Sequence, residues 1–543
     1  MTTKIFTVAE MVAAERAAYA SGVSYEEMME TAGRRVAEAI IARRDVSGRS
    51  VLVLVGPGNN GGDGLVVGRY LAEAGADVAL YLYKSRDPQT DINFQLVQEM
   101  GLFIVEAQND QRYRVLQTRL YVTDILVDAL LGTGVTRPIA GNLAGLMKEG
   151  KSVVTQRRAG STDEDPLISI GDLPSIDKDL KNSPEPWLVA VDCPSGLNCD
   201  SGALDQLAIA ADLTVTFAGP KRGHFRFPGA GACGELVVAD INIKDTLPEV
   251  AAVPLTLVTA QIAQTLLPKR PMDGHKGTFG TVLVAAGSEN YWGAPLLCGL
   301  GAYRTGAGLV ALAVPEVIRP TVAGRLPEAT YPPISASGVF DAQSAEFLFS
   351  NLQKYQAVVI GPGLGAADTF MDYLLLNDQK FPPMLIDADG LNILSRTEGW
   401  AAQLPPNTIL TPHPGEMARL RGISPAELKT LDRVDLAGQA AREWGHIVLL
   451  KGAYTIVAAP DGRLAMLPFA NPTLAVGGSG DVLSGVIGAY LAQGLKPFEA
   501  AVLGGYMHGA AAELASKSFG DAGLLSAEIA DWLPQARRRL LGE

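Results

Sequence analysis

Short uninterrupted apolar runs alternate along the chain with longer stretches whose apolar residues recur at helical spacing. SVLVLVG at Ser50–Gly56 is the clearest run, and Asp77–Tyr83, Ile125–Leu131, Trp187–Gly196 and Leu213–Gly219 follow it. The second half repeats the theme at Thr281–Gly287, Ala357–Gly365, Met384–Asp387, Thr408–Glu416 and Ile447–Thr455. Continuous apolar runs mark strands covered on both faces, as in parallel sheets. Between them, Thr7–Ile41 predicts two helices broken at Gly22, with Ser24 and Glu27 spaced as a capping box. Leu65–Gly75, Phe94–Met100 and Ala260–Leu267 also read as helix, and Gly293–Leu309 as a small-residue segment suited to close packing. The alternation predicts α/β folds. A chain of 543 residues is too long for one core, and the prolines at 248 and 254 interrupt the pattern. We therefore expect domains at 1–243 and 258–543, joined through 244–257.

The ends of the strands carry the chemistry. Ser50–Gly56 runs into Gly56-Pro57-Gly58-Asn59-Asn60-Gly61-Gly62-Asp63-Gly64 and then a helix, the arrangement of a phosphate or dinucleotide site. Its spacing is not G-x-G-x-x-G, and its amide and carboxylate oxygens suit a hard cation. Asp128 lies inside an apolar strand that ends at Gly132-Thr133-Gly134, and a buried carboxylate needs donors or a cation. Asp192 and Ser195 follow a third such strand. Each alone reads equally well as a turn or cap, but three at strand carboxyl ends favour a site. Lys221-Arg222-Gly223-His224 reads as a basic turn, with His224 on the surface rather than catalytic.

In the second half, LAVGGSGDVLSGV at Leu474–Val486 places glycines and a serine ahead of Asp481 and a helical apolar run. Such a nest at a helix N-terminus binds anions; a Gly-rich turn with Asp481 as N-cap is the alternative for this stretch taken alone. His413, between two prolines, and Glu416 follow one strand, and Lys451 follows another. Lys451 beside a phosphate nest favours ligand contact over a solvated strand end.

Composition narrows the classes. A net charge of −13 with no basic tract argues against a nucleic-acid partner. No window approaches the length of a membrane span. The four cysteines, Cys193, Cys199, Cys233 and Cys298, lack C-x-x-C spacing, so neither zinc nor a disulfide framework is expected. The charged start has no signal-like apolar core, and the expected location is cytoplasmic. Residues 151–186, rich in Pro, Asp and Ser, are expected to form a surface excursion.

GPGNNGGDG, VDALLGTG and VDCPSGL resemble the motifs of the NAD(P)HX epimerase domain, a Rossmann-like α/β domain, over roughly Val8 to Ile243. That family interconverts the R and S hydrates of NADH and NADPH and binds potassium. The resemblance implies substrate contacts from Asn59, Asn60, Gly61, Gly62 and Asp63 and from Gly132, Thr133, Gly134, Val135, Thr136, Arg137 and Pro138. It implies potassium ligation by Asn60, Asp128 and Ser195, with Asp192 at the reacting ring as acid or base. GPGLG, TPHPGE, LKGAYT and GGSGDVLSG resemble, in order, the NAD(P)H-hydrate dehydratase domain of the ribokinase-like fold, over roughly Val258 to Leu541. This resemblance implies adenine-nucleotide contacts from Lys451, Gly452, Ala453, Tyr454, Thr455 and Gly480. Ala294, Gly363, His413 and Asp481 would contact the hydrate, with Asp481 as general base and magnesium accompanying the phosphates.

The expected chain is thus two three-layer α/β domains, an isomerase fused to a lyase that repairs NADHX and NADPHX. ADP is the expected co-substrate, and a homo-oligomer, tetramer or larger, the expected assembly. A ribokinase-like small-molecule kinase fused to a nucleotide-binding module is the alternative enzyme, and a nicotinamide-nucleotide sensor the non-enzymatic one.

Overall fold

The computed structural model describes residues 3–159, 186–334, 339–377 and 380–543. Two compact units make up the chain, Met1–Val253 and Pro254–Glu543. The first holds seven strands: β1 Ser50–Val55, β2 Asp77–Leu82, β3 Phe103–Glu106, β4 Ile125–Ala129, β5 Trp187–Val191, β6 Leu213–Phe217 and β7 Glu235–Ala239. They pair in parallel in the order β3-β2-β1-β4-β5-β6-β7. The order reverses between β1 and β4, and a crevice opens beyond the carboxyl ends of such a pair.

Alternation within one strand explains the two covered faces. Val51, Val53 and Val55 pack under helices Val8–Ala20, Tyr25–Ile41 and Asn59–Glu73, while Leu52 and Leu54 pack with helices Arg114–Val122 and Gly141–Ala159 on the other side. The break at Gly22 separates the first two helices. Ser24 caps the second by accepting from the Glu27 amide, and Thr7 with Glu10 forms a complete capping box on the first.

Two expectations change here. The helix after β1 begins at Asn59, not Leu65, so Asn59–Gly64 form its opening turns instead of a loop. Small residues make this possible: a Cβ on Gly64 would lie 2.5 Å from that of Ala129. The expected excursion at 151–186 also starts later, because Lys151–Ala159 complete helix Gly141–Ala159. Buried Arg157 ties that helix down by donating to the carbonyls of Leu120 and Thr123; residues 160–185 lie outside those described. The connection at 244–257 carries elements of its own: Pro248–Ala251 is a helix packed on Val8–Ala20, and Leu255–Leu257 is a strand.

That strand, β8, belongs to the second sheet with β9 Thr281–Ala285, β10 Leu309–Ala313, β11 Ala357–Ile360, β12 Met384–Ile386, β13 Ile409–Leu410, β14 Ile447–Leu450, β15 Ile456–Ala458 and β16 Leu464–Met466. Their order is β10-β9-β11-β12-β13-β14-β15-β16-β8, parallel except where β15 pairs antiparallel with both neighbours. Val282 and Val284 face helices Gly293–Thr305, Ser479–Ala492 and Pro497–Phe519, and Leu283 and Ala285 face the opposite layer. Among the described residues no helix is long and apolar enough to cross a membrane.

Helices Gly293–Thr305 and Ser479–Ala492 lie close because a Cβ on Gly485 would overlap the carbonyl oxygen of Cys298. Gly485→Ala should therefore lower the stability of the second unit by about 1–3 kcal/mol, read as an earlier denaturant midpoint. An unchanged midpoint would show that the two helices can separate freely.

Candidate active site

The first unit opens a cleft of about 820 Å³ beyond the carboxyl ends of its strands. Asn59, Asn60, Asp63, Gly132–Pro138 and Asp192 line it, together with Glu15 and Phe217. Gly61 and Gly62 do not: a side chain at Gly61 would meet the Gly56 carbonyl and Arg86, and one at Gly62 the Met29 sulfur. They set how closely the helix can pack.

Two buried carboxylates anchor the cleft by different means. Asp128 accepts from Ser195 twice, from the amide at 2.8 Å and from Oγ at 2.6 Å, and from the Leu130 amide at 3.2 Å. Burial pushes it above the ordinary carboxyl range, and these donors only partly offset that. Asp192 follows β5 with φ +64, a left-handed backbone that non-glycine residues rarely adopt. Its Oδ1 receives the Lys221 ammonium at 2.6 Å and the Thr216 hydroxyl at 2.8 Å. Burial alone would raise Asp192, but the Lys221 charge and hydrogen bond outweigh it and hold the group below its usual value.

Lys221 and His224 correct the expected surface turn. Lys221 is 1% exposed and His224 2%. Lys221 also donates to Thr216 Oγ1 and the Phe217 carbonyl, while His224 Nδ1 accepts from the Lys221 amide. A charged residue directly after a Gly-Pro at a strand end looks solvated in sequence; here the chain turns it back under the strand. Lys221 is the residue sequence reading missed. Two threonines alternating in the apolar run LTVTF were its available signal. Glu15, on the first helix, had none.

In the second unit the groups gather at the ends of β12, β13 and β14. Lys451 Nζ lies 2.7 Å from Asp387 Oδ1 and 3.7 Å from Glu416 Oε2. Ser484 donates to the other Asp387 oxygen at 2.7 Å, and Glu416 accepts from the His413 amide at 2.8 Å. Burial works against the Lys451 charge, but Asp387 and Glu416 outweigh it and bind its proton more firmly. His413 caps the helix Pro414–Arg421, its Nδ1 accepting from the Gly415 amide at 2.9 Å. Burial and the Lys451 and Arg419 charges hold His413 below the usual histidine value, so it is a neutral cap.

The glycine nest opens helix Ser479–Ala492 with Gly478 as N-cap at φ +91, which puts Asp481 in the first turn and not at the cap. Gly480 borders Lys451, whose ammonium would lie 3.4 Å from a Cβ there. Burial, then the Asp387 charge, pushes Asp481 up to about 7. No side-chain or backbone donor reaches its carboxylate among the described residues. Gly363 and Ala294 sit together, a Cβ on Gly363 falling 3.0 Å from that of Ala294. Lys451–Thr455 link the antiparallel pair β14–β15, and Arg433 braces this turn through the carbonyls of Leu450, Lys451 and Ala453. Asp387, Ser484 and Arg433 were absent from the expected site. Ser484 lies one helical turn after Asp481, and that spacing was its signal.

Residues 25–223 match the family described as YjeF-related protein N-terminus, and 282–535 match NAD(P)H-hydrate dehydratase. The bifunctional NAD(P)H-hydrate repair enzyme of Moorella thermoacetica is 36% identical over 521 residues, covering 94% of this chain and 92% of its own. That of Thermofilum pendens is 36% identical over 544 residues, covering 99% and 97%. This chain belongs to the bifunctional NAD(P)H-hydrate repair enzymes. Among solved structures, the ADP/ATP-dependent NAD(P)H-hydrate dehydratase of Bacillus subtilis is 34% identical, covering 52% of this chain and 97% of its own at a TM-score of 0.44. Apart from Glu15 and His224, the two clusters in this repair enzyme fall one in each matched family segment.

Lys451 is the only ammonium paired with Asp387 and Glu416 among the described residues. Lys451→Met should destabilise the second unit by about 3–5 kcal/mol, because it leaves buried carboxylates unpaired. Thermal unfolding should show this as a loss that shrinks as pH falls and Glu416, which burial already raises, takes its proton. A loss independent of pH would mean that packing, not charge, is what Lys451 supplies.

Proposed function

We propose that the first unit interconverts the R and S hydrates of NADH and NADPH, and that the second dehydrates the S form while ADP is converted to AMP and phosphate. The observation that carries the second half is Asp481, a donor-free carboxyl in the first turn of a helix whose N-terminus borders Lys451. A hydroxyl on the reduced ring is a poor leaving group. Asp481 takes its proton as the oxygen attacks the terminal phosphoryl of ADP, and the backbone amides of Gly477–Gly480 receive the developing charge. The ring nitrogen then expels the phosphate ester, and loss of a neighbouring ring proton restores the dihydronicotinamide. Lys451, Gly452, Ala453, Tyr454, Thr455 and Gly480 hold the nucleotide, and Ala294, Gly363 and His413 the hydrate.

Oxygen donors are available for both ions this reading includes. Asp128 is buried with no cationic side chain acting on it, and the Asn60 amide has a buried Nδ2 without a partner. Turned over, that amide presents its oxygen, and with Asp128 and Ser195 it forms a set suited to a hard monovalent cation. Potassium held there supplies counter-charge to Asp128. Among the described residues no three acidic, His or Cys side chains form a metal cage. Magnesium would be held chiefly through the nucleotide phosphates, with Asp481 the donor-free carboxylate beside the glycine nest, and it would supply further neutralisation of the phosphoryl oxygens. All four cysteines are free, which suits the reducing cytoplasm; a homo-oligomeric assembly completes the reading.

The test is recovery of reduced-nicotinamide absorbance from mixed R and S hydrate with potassium, magnesium and either ADP or ATP. Complete recovery is expected, faster with ADP, with inorganic phosphate as co-product. A stable phosphorylated product would identify a kinase instead. Asp481 must be ionised to act, so the dehydratase kcat/KM should fall as pH drops through about 7 and level off above it. Asp481→Asn should cost at least ~100-fold in kcat while leaving ADP bound; full turnover by that variant would remove Asp481 from the chemistry.

A further inference from the structure

Three carboxyl groups face the epimerase cleft, and their surroundings differ. Asp192 is met by donors: the Lys221 ammonium, the Thr216 hydroxyl and, at 3.4 Å, the Phe217 amide. Asp63, 8% exposed, lines the same cleft with Glu15, and no donor reaches either carboxyl among the described residues. A carboxyl surrounded by donors is stabilised ionised; one withdrawn from water beside other carboxylates keeps its proton. Two carboxyls driven in opposite senses within one cleft are the arrangement that acid–base chemistry needs.

We propose, resting on the epimerase reading above, that Asp63 is the general acid of that reaction, Asp192 its general base, and Lys221 the positioning residue that keeps Asp192 ionised. Epimerisation inverts the carbon that bears the hydroxyl. Asp63 gives its proton to that hydroxyl, the C–O bond breaks, and the ring-nitrogen lone pair forms a C=N bond as water departs. Water then adds to the opposite face, Asp192 takes its proton, and the π electrons return to nitrogen. The proton now on Asp192 returns to Asp63 through the water of the cleft, which closes the cycle without any redox partner.

The electrostatics agree with the geometry. Burial raises Asp63 well above the usual carboxyl value, and Asp192 and Glu15 raise it further against weaker relief from Arg86 and Lys221. Burial also raises Glu15, with Lys221 opposing and Asp192 assisting. On Asp192 the Lys221 charge prevails over burial, with His224 and Thr216 adding to it. Arg86 cannot turn to neutralise Asp63, because it is held by Asp91 and by the carbonyls of Gly56 and Gly58.

The experiment follows conversion of purified R hydrate to S hydrate by the full chain, without nucleotide, across pH and in ¹⁸O-water. In the wild-type chain, solvent oxygen should enter the hydroxyl as inversion proceeds. Asp63→Asn should lower epimerase kcat by about 100-fold or more with KM little changed. Lys221→Met should move the acid limb of kcat/KM upward by about one pH unit or more, because Asp192 then loses its stabilising charge. Nucleotide-dependent turnover of the S hydrate by the same variants, together with their melting curves, reports whether the chain is folded. If the wild-type chain fails to convert R hydrate, the epimerase reading itself falls. If it converts R hydrate but inversion proceeds without label, or Asp63→Asn keeps full activity, or the Lys221→Met profile is unmoved, only this acid–base assignment is overturned.

Discussion

A carboxylate taken out of water must be given donors or a counter-charge, and both units of this chain are organised by that requirement. In each, parallel strands deliver acidic side chains to one edge of a buried sheet, where solvent cannot stabilise them. A single lysine then supplies a counter-charge in each. Lys221 does so for Asp192 in the first unit, and Lys451 for Asp387 and Glu416 in the second. Burial drives Asp63 and Asp481, which no donor reaches, towards the neutral form, and it does the same to Asp128 and Glu416 in spite of their partners. Reactivity here comes from unequal sharing of scarce donors.

The two units reach this state through different local geometry. The Asp192 backbone is held in a left-handed conformation, which turns the carboxylate down towards β6 and Lys221. In the second unit a similar backbone excursion falls on Ala388, between Asp387 and Asp389, so the two acids diverge. Asp387 is taken by Lys451 and Ser484, whereas Asp389 accepts from the Gly365 amide. Strain at strand ends thus separates acids that the sequence places side by side.

Legibility in the sequence followed the physics. Continuous apolar runs gave away most of the strands buried on both faces, though not Leu309–Ala313, Ile456–Ala458 or Leu464–Met466, and the motif glycines marked where helices and strands must touch. What escaped was whatever depends on three-dimensional partnership. Lys221 looked solvated because only the threonines of LTVTF hint that the chain folds it beneath Thr216. Glu15 comes from a helix distant in sequence. Asn59–Gly64 looked like loop because glycine disfavours helix intrinsically, and only the close strand packing behind it reverses that preference. The extent of the excursion was misjudged at its near end for a related reason: Lys151–Ala159 is polar on its surface, yet Val153, Val154 and Arg157 are buried.

The strand Leu255–Leu257 has a consequence for how the second unit behaves as a molecule. It pairs with Leu464–Met466 and so covers the flank of a nine-stranded sheet. The matched dehydratase segment begins at residue 282, past this strand. A polypeptide started there would leave the peptide groups of Leu464–Met466 open along one side, and open sheet flanks recruit other chains. The three residues of β8 thus take the edge position that Leu464–Met466 would otherwise hold.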